Sequence, residues 1–261
     1  MRLVTFNVLH GRSTEDGRVD PGRLRRAVSG LGADVLALQE VDRGQPRSSG
    51  LHLSEVAAEA MGARHWRFVP AMTGTPGSTW TAVRGDIDAG AESGDQQPAY
   101  GVALLSRLPV RSWEVVRLPA APAARTPIVI PGRRKPLLLK DEPRVGVIAV
   151  VDAPFGPLTV ATTHLSFLPG WGVAQLWRLT ARLHALPGPQ ILMGDLNMPS
   201  VARWLLPTWR SLADAATFPA AAPRVQIDHV LGRGALPAVR HVEAPRMELS
   251  DHRALIVDLD C

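Results

Sequence analysis

The stretch DPGRLRRAVSGLGADVLALQEV, residues 20–41, decides the fold because it holds a helix followed directly by a buried strand. Asp20 and Pro21 are typical of a helix N-cap and first turn, and Gly32 is typical of a helix end. The run after Gly32 has the continuous apolar character of a strand that is covered on both faces. Residues 1–8, MRLVTFNV, precede it and alternate like a strand. Together they predict a strand–helix–strand unit.

A short helical crossover usually joins parallel neighbouring strands, which end at the same edge of a sheet. Asn7 and Glu40 stand at the ends of these two strands and are therefore expected to lie side by side. Taken alone, Asn7 is most simply a turn residue and Glu40 a solvated charge. The unit thus supplies a first pair of polar groups at one rim.

Hairpins and further helices follow this unit. Residues 144–166, RVGVIAVVDAPFGPLTVATTHLS, predict two strands joined by a turn, and residues 172–186, GVAQLWRLTARLHAL, have helical spacing. Another helix is expected at about 51–62. An early strand–helix–strand unit combined with later hairpins predicts an α/β (α+β) sandwich with mixed sheets.

Three segments lack a strong pattern. Residues 73–98 are rich in Gly, Ser and Asp and predict a long loop or mobile flap. Residues 119–143 contain six prolines and a basic cluster at 133–135, which is consistent with another excursion from the core. A helix is expected near 201–206.

Composition narrows the class of protein. The 261 residues are 46% hydrophobic, enough for a sizeable core, and no linker divides residues 1–261, so a single domain is expected. Lys and Arg total 29 against 24 Asp and Glu, a formal charge of +5 that favours anionic partners. The single cysteine, Cys261, excludes an internal disulfide framework and a cysteine metal cluster. No secretory signal or membrane-spanning run is evident, so a cytoplasmic location is expected.

A polar pair follows the apolar strand in QILMGDLNMPS, residues 190–200. Alternate side chains of an extended chain share a face, so Asp195 and Asn197 are expected to point the same way while Leu196 points into the core. Gly194 would let the backbone bend or pass close to a neighbour. A simple turn is an equally good explanation of this segment taken alone.

Histidines and a carboxylate mark three more strand ends. His164 ends VATTHLS, His252 follows Asp251 in LSDHRALIV, and Asp228 lies in QIDHVL. A histidine hydrogen-bonded to a buried carboxylate keeps one tautomer and can pass a proton at neutral pH. Each of these residues alone is more simply structural. Six strand ends that carry such groups together favour metal-assisted phosphoester cleavage, because Mg²⁺ prefers oxygen ligands.

Seven motifs in the same order resemble those of the endonuclease/exonuclease/phosphatase superfamily: TFNVLHG, LALQEVD, YGVALLSRLP, TTHLS, MGDLN, QIDHVL and SDHRALIV. The resemblance spans nearly the whole chain, and GDLN followed by SDH is its most specific part. It implies a four-layer fold with two packed mixed β-sheets flanked by helices. It also implies a phosphoesterase centre that depends on Mg²⁺, with Mn²⁺ as a substitute.

The resemblance implies a role for each matching residue on the metal side. Asn7 and Glu40 match metal-binding residues of the family, and Asp251 matches an acidic residue close to the same ion. Asp195 matches the carboxylate that orients the attacking water. Asn197 matches an asparagine that contacts the scissile phosphate.

Four other residues match the family's proton-transfer and phosphate-binding positions. His252 and Asp228 match a couple that acts as general acid or base. His164 matches a histidine on the phosphate side. Arg144 stands where several members have a phosphate-binding arginine, although an exposed ion pair explains it equally well.

The substrate stays open between classes: a nucleic acid, a phospholipid or a small phosphorylated molecule, cleaved as a phosphodiester or phosphomonoester. Members that cleave abasic DNA carry tyrosine where His164 stands, so the resemblance is nearer to deoxyribonuclease I-type, sphingomyelinase-type and inositol-phosphatase-type members. Phe167, Leu168 and Trp171 follow His164 and would either pack in the core or meet a base or lipid. A binding module without catalysis is the remote alternative, and no obligatory protein partner is indicated.

Overall fold

The computed structural model describes residues 1–84, 97–122, 125–128, 137–168, 170–199 and 205–261. The basic cluster at 133–135 and positions 201–204 of the expected helix near 201–206 lie outside these ranges. Residues 85–96, in the middle of the expected loop, also lie outside them.

The described residues form three α-helices and fifteen strands. The helices are Pro21–Leu31 (α1), Leu53–Met61 (α2) and Trp171–His184 (α3). The strands are Arg2–Asn7 (β1), Val35–Arg43 (β2), His65–Gly74 (β3), Trp80–Ala82 (β4), Ala99–Ser106 (β5), Val110–Leu118 (β6), Arg125–Ile128 (β7), Leu137–Lys140 (β8), Arg144–Ala153 (β9), Gly156–His164 (β10), Gln190–Asp195 (β11), Arg210–Ser211 (β12), Asp228–Arg233 (β13), Val239–Glu243 (β14) and Leu255–Leu259 (β15).

Two mixed sheets hold most of these strands. The seven-stranded sheet has the order β14-β15-β1-β2-β5-β3-β4, and the six-stranded sheet has the order β12-β13-β11-β10-β9-β6. β7 and β8 pair with each other only. Both sheets combine parallel and antiparallel neighbours, as the early crossover and the later hairpins predicted.

The strand–helix–strand unit is confirmed at both ends of its helix. The Asp20 side chain accepts the Gly22 N–H at 2.7 Å, and Gly32 ends α1 with φ of 60°. β1 and β2 pair in parallel, with Asn7 opposite Gln39. The ends of these strands therefore share one edge of the seven-stranded sheet.

Three apolar clusters define four layers. The first joins α1 and α2 to the outer face of the seven-stranded sheet. The second fills the space between the sheets and includes Leu3, Val35, Val147 and Met193. The third joins α3 to the outer face of the six-stranded sheet. This arrangement confirms the predicted sandwich of two packed sheets flanked by helices.

Some sequence-based expectations differ from the structure. The expected loop at 73–98 is partly wrong, because β3 continues to Gly74 and pairs with β4. The residues after Val110, which had no predicted element, form β6 along β9. β14 was also missed, since most of its side chains are exposed and supply no apolar alternation. No helix in the described part of the chain is long and apolar enough to cross a membrane.

Candidate active site

The register of the six-stranded sheet places three of the predicted residues side by side. β10 and β11 are parallel, with His164 opposite Asp195 at their ends. β13 runs antiparallel to β11, with Asp228 opposite Asp195. Residues far apart in the sequence are therefore adjacent because of backbone pairing.

Asn7 connects this group to the other sheet. Its Nδ2 donates to Glu40 Oε1 at 3.2 Å and to Asp195 Oδ2 at 3.0 Å. Glu40 has φ of 56° and lies where the β2–β5 register shifts, so its side chain leaves the regular alternation of the strand. Asn7 and Glu40 therefore meet at the rim, and Asn7 also reaches across to Asp195.

The segment GDLN at the end of β11 meets both expectations, a turn and a pair of polar side chains that point the same way. Gly194 passes so close to β10 that a Cβ atom there would lie 2.0 Å from the Thr163 carbonyl oxygen. The Asn197 N–H donates to Asp195 Oδ1 at 2.9 Å, and Asn197 has φ of 52°, which is typical of a turn. Leu196 packs in the core beneath α3, as expected. The segment is a turn, and it still brings both polar side chains to His164, whose Nε2 lies 3.1 Å from Asn197 Nδ2 and 3.5 Å from Asp195 Oδ2.

His252 is paired with a buried carboxylate. Its Nδ1 lies 2.9 Å from Asp228 Oδ2, which also accepts the Thr217 hydroxyl at 2.6 Å. The Phe218 ring lies 5.0 Å from the imidazole, centroid to centroid. Burial acts to lower the pKa of His252, but the hydrogen bond to Asp228 and the surrounding carboxylates outweigh it and raise this pKa to about 9. His252 is therefore held as a cation near neutral pH.

His164 is paired with a cationic side chain, whereas His252 is paired with a carboxylate. Arg144 Nη1 lies 3.2 Å from His164 Nδ1, and the side chains are 6% and 8% exposed. The ion pair expected as the alternative is present, with Glu142 Oε2 4.0 Å from Arg144 Nη2, but the guanidinium is buried and not exposed. Burial, and then the positive charges of Arg144 and His252, lower the pKa of His164 well below its usual value. His164 is therefore neutral.

Asp195 occupies the centre of the group. Its Oδ2 accepts from Asn7 and lies 3.5 Å from His164 Nε2 and 3.8 Å from His252 Nε2. Burial, and then the charge of Asp228, raise the pKa of Asp195 to about 7. A carboxylate in this state can accept a proton from a neighbouring group.

The residues expected to bind metal offer oxygen atoms that fit a divalent cation. Asp251 Oδ1 is shielded from solvent and accepts no hydrogen bond from any described residue. Burial, and then the charge of Asp251, raise the pKa of Glu40, so a cation between these carboxylates would relieve their repulsion. Asn7 Oδ1 accepts the Leu9 N–H at 3.1 Å and keeps one lone pair.

A second group could also hold a cation by proximity alone. Asp195, Asp228 and His252 each offer a ligand atom, and these atoms lie within 4.8 Å of one another. His252 is cationic and so cannot ligate a metal ion. Asp228 Oδ2 already accepts from two protein donors, whereas Asp228 Oδ1 is a buried oxygen that accepts no hydrogen bond from a described residue. This trio therefore suits proton transfer better than metal binding.

Three residues that support the site were missed in the sequence. Thr217 and Phe218 contact the Asp228–His252 pair, and the Ser250 hydroxyl donates to the Asn7 carbonyl oxygen at 2.6 Å. The Ser250 hydroxyl also accepts the His252 N–H at 3.0 Å. These bonds fix the turn that carries Asp251 and His252. Ser250 precedes Asp251 in the SDH motif, whereas Thr217 and Phe218 carry no local signal.

A family model and several solved structures match this chain. The family model "Endonuclease/Exonuclease/phosphatase family" matches residues 4–252. A search of curated proteins found no match to the sequence.

Solved structures share the fold at low sequence identity. An endonuclease/exonuclease/phosphatase from Beutenbergia cavernae has a TM-score of 0.66 and 22% identity, over 99% of this chain and 71% of that chain. The mannosyl-6-phosphatase Bt3783 from Bacteroides thetaiotaomicron has a TM-score of 0.64 and 14% identity, over 100% of both chains. A humanized D. rerio TDP2 has a TM-score of 0.62 and 15% identity, over 100% of this chain and 99% of that chain. Because the family model covers nearly all of its length, the chain belongs to the endonuclease/exonuclease/phosphatase family.

Proposed function

We propose that this protein is a divalent-metal-dependent phosphoesterase, formed by a single catalytic domain over residues 1–261, that hydrolyses a phosphodiester or phosphomonoester. The observation that carries the proposal is the position of Asp195. Its carboxylate contacts Asn7 from the seven-stranded sheet, and the imidazoles of His164 and His252 lie within 4 Å of it. Metal ligands, base and phosphate-binding groups are thus within reach of one phosphoryl group.

Asn7, Glu40 and Asp251 would hold the metal ion. Asp251 Oδ1 accepts no hydrogen bond from a described residue, and His252 Nε2 lies 4.0 Å from it. This oxygen and the elevated pKa of Glu40 support the assignment, and an all-oxygen set suits Mg²⁺, with Mn²⁺ as a substitute. When bound, such an ion neutralises phosphate charge and so lowers the barrier to nucleophilic attack.

Asp195 orients the attacking water and accepts its proton. Its pKa of about 7 places the carboxylate close to the operating pH, where a general base is most effective. The Asn197 N–H donates to Asp195 Oδ1 at 2.9 Å, and Asp195 Oδ2 faces His164 and His252. In-line attack on phosphorus then expels the leaving group on the opposite side.

His252 protonates the leaving oxygen. The Asp228 carboxylate keeps one proton of His252 on Nδ1, so its Nε2–H points towards Asp195. His164 and Asn197 donate hydrogen bonds to the phosphoryl oxygens as negative charge develops on them. Each side chain thus has one task that its neighbours support.

Small phosphorylated molecules and lipids are the favoured substrate classes. The similarity to a mannosyl-6-phosphatase over the full length of both chains supports a small substrate. A lipid headgroup is the second candidate, because Phe167, three residues after His164, is 37% exposed. Leu168 is buried, and the Trp171 indole N–H donates to the Pro119 carbonyl oxygen, so these two support the fold more than a ligand.

A panel of substrates tests the proposal. Wild-type protein with Mg²⁺ is assayed on plasmid DNA, RNA, sphingomyelin, phosphoinositides, sugar phosphates and bis-p-nitrophenyl phosphate. We expect turnover that EDTA abolishes and that falls by several orders of magnitude in Asp195→Ala. Arg111→Gln, which alters only a surface ion pair with Asp152, is the matched control. Turnover that survives both EDTA and Asp195→Ala would reject the proposed chemistry.

A further inference from the structure

The buried guanidinium of Arg144 lies directly behind the imidazole of His164. Arg144 begins β9 and His164 ends β10, and these strands pair antiparallel with Thr163 opposite Gly146. Nη1 of the arginine lies 3.2 Å from Nδ1 of the histidine. The contact is therefore made from the protein side of the ring, and Nε2 faces Asp195.

This contact determines which ring nitrogen carries the proton. A guanidinium has only donors, so the nitrogen that it faces must offer a lone pair. Nδ1 of His164 is thus the acceptor, and the single proton of the neutral ring lies on Nε2. Nε2–H then faces Asp195 Oδ2 at 3.5 Å.

Asn197 competes for the same ring. Its Nδ2 lies 3.1 Å from His164 Nε2 and also donates to the Leu165 carbonyl oxygen at 3.0 Å. A neutral imidazole has one acceptor nitrogen, so only one of the two donors can form a hydrogen bond with it. The arginine wins, because a charged donor binds more strongly than a neutral one. The Asn197 amide keeps its hydrogen bond to the Leu165 carbonyl oxygen in either case.

We propose that Arg144 is a positioning residue that holds His164 as the neutral Nε2–H tautomer, so that His164 donates a hydrogen bond to a phosphoryl oxygen and does not release its proton. The hydrogen bond to a phosphoryl oxygen rests on the proposed phosphoesterase function, whereas the tautomer of His164 does not depend on it. It differs from a direct phosphate contact by Arg144, because the guanidinium acts through the ring.

Nuclear magnetic resonance can detect the tautomer without any substrate. Uniformly ¹⁵N-labelled, metal-free protein has eight histidines, and His164→Gln identifies the signals of His164. In the wild type at pH 7 we expect a protonated Nε2 and an unprotonated Nδ1. Arg144→Lys keeps a charged group that can only donate and should keep this tautomer, whereas Arg144→Gln can present a donor or an acceptor and should give a mixture. Arg144→Glu offers an acceptor and should move the proton to Nδ1 or protonate both nitrogens.

The remaining seven histidines and the circular dichroism spectrum report whether each variant folds. Arg144→Met, which has neither donor nor charge, serves if Arg144→Glu does not fold, and should give a mixture of tautomers. A wild-type His164 protonated on Nδ1, or an unchanged Nε2–H signal in both the Glu and the Met variant, would overturn the proposal.

Activity supplies an independent readout. Turnover of bis-p-nitrophenyl phosphate should fall about 10- to 100-fold in Arg144→Glu and less in Arg144→Gln, as for other partners that orient a reactive side chain. Arg111→Glu reverses the same charge at the surface and serves as the control. If the wild type hydrolyses no phosphoester, the proposed function fails while the tautomer result still decides the role of Arg144. Equal losses in the Gln and Glu variants, with the tautomer unchanged, would mean a direct phosphate contact and contradict the proposal.

Discussion

His164 and His252 both face the carboxylate of Asp195, but each has a different residue behind its ring. His252 is backed by Asp228 at 2.9 Å, and His164 is backed by Arg144 at 3.2 Å. Both rings are buried, and both turn Nε2 towards Asp195. The aspartate makes one ring a cation, whereas the arginine keeps the other neutral.

The difference shows that the residue behind a ring, more than the ring itself, decides its chemistry. A proton can be supplied to a leaving group only by the ring that holds two protons. A neutral ring can still stabilise negative charge by donating a hydrogen bond. One fold thus obtains an acid and a fixed donor from the same residue type.

The largest expected effect is a loss of kcat that depends on the leaving group for His252 but not for His164. His252→Ala should lower kcat about 10³-fold, and His164→Ala about 10²-fold, on bis-p-nitrophenyl phosphate. On diphenyl phosphate, whose leaving group needs more help from an acid, the loss in His252→Ala should grow while the loss in His164→Ala stays constant. Steady-state kinetics on both esters measure this. A loss in His164→Ala that also grows with the poorer leaving group would break the comparison.

The next effect concerns the aspartate behind His252. Asp228→Asn should lower the pKa of His252 and reduce neutral-pH turnover by about 10²-fold. A general acid must be protonated, so the rate should fall as pH rises through its pKa, near 9 in the wild type and at lower pH in the variant. A pH–rate profile measures the shift. Thr217→Val removes the bonds of its hydroxyl to the carboxylate and the backbone N–H of Asp228 and should shift the profile less. An unmoved alkaline limb in Asp228→Asn would exclude His252 as the acid.

A smaller effect concerns the residues proposed to bind the metal ion. Glu40→Gln removes one formal charge from the proposed ligand set and should raise the Mg²⁺ concentration for half-maximal activity roughly tenfold. Glu15→Gln is the control, since Glu15 is exposed and pairs with Arg246 at 2.9 Å, outside that set. Identical metal titrations for wild type and Glu40→Gln would remove Glu40 from the site.

The smallest effect concerns His52, a histidine outside the proposed site. His52 lies beside Trp66 and Phe68, and burial, with the charge of Arg43, lowers its pKa to about 4. The unfolded chain binds a proton below about pH 6.5 that the folded chain does not, so stability should fall as pH drops from 6.5 towards 4. Because the ring is partly exposed, we expect a loss of about 1 kcal/mol.

Urea unfolding at pH 7 and pH 5 measures this loss. His52→Gln cannot titrate and should remove about 1 kcal/mol of the pH dependence. Its stability at pH 7 changes through the lost ring packing and the altered hydrogen bond with Ser54. The same pH dependence in wild type and variant would show that His52 is not the group responsible.

Much of the fold could be predicted where the backbone chemistry is local. Asp20, Pro21 and Gly32 mark both ends of α1 by capping and by a left-handed C-terminus, and the apolar run after Gly32 marks β2. β14 could not be predicted, because its side chains are mostly exposed and it is a strand only through pairing with β15. The same reason hides β4, which is three residues long and pairs with β3.

The site shows the same limit. Asn7, Glu40 and Asp195 could be selected by residue type and by their place at strand ends. The hydrogen bond that joins Asn7 to Asp195 depends on how the two sheets pack, which no local pattern encodes. The burial of Arg144 behind His164 likewise follows from the pairing of β9 and β10. Residue types thus predict the members of the site, and tertiary packing decides their partners.

A crystal structure with Mn²⁺ and phosphate tests the central claim most directly, because anomalous scattering locates the ion. We predict Mn²⁺ beside Glu40 and Asp251, with a phosphate oxygen within hydrogen-bonding distance of His164 Nε2. An ion bound instead among Asp195, Asp228 and His252, or a phosphate bound away from both histidines, would contradict the account.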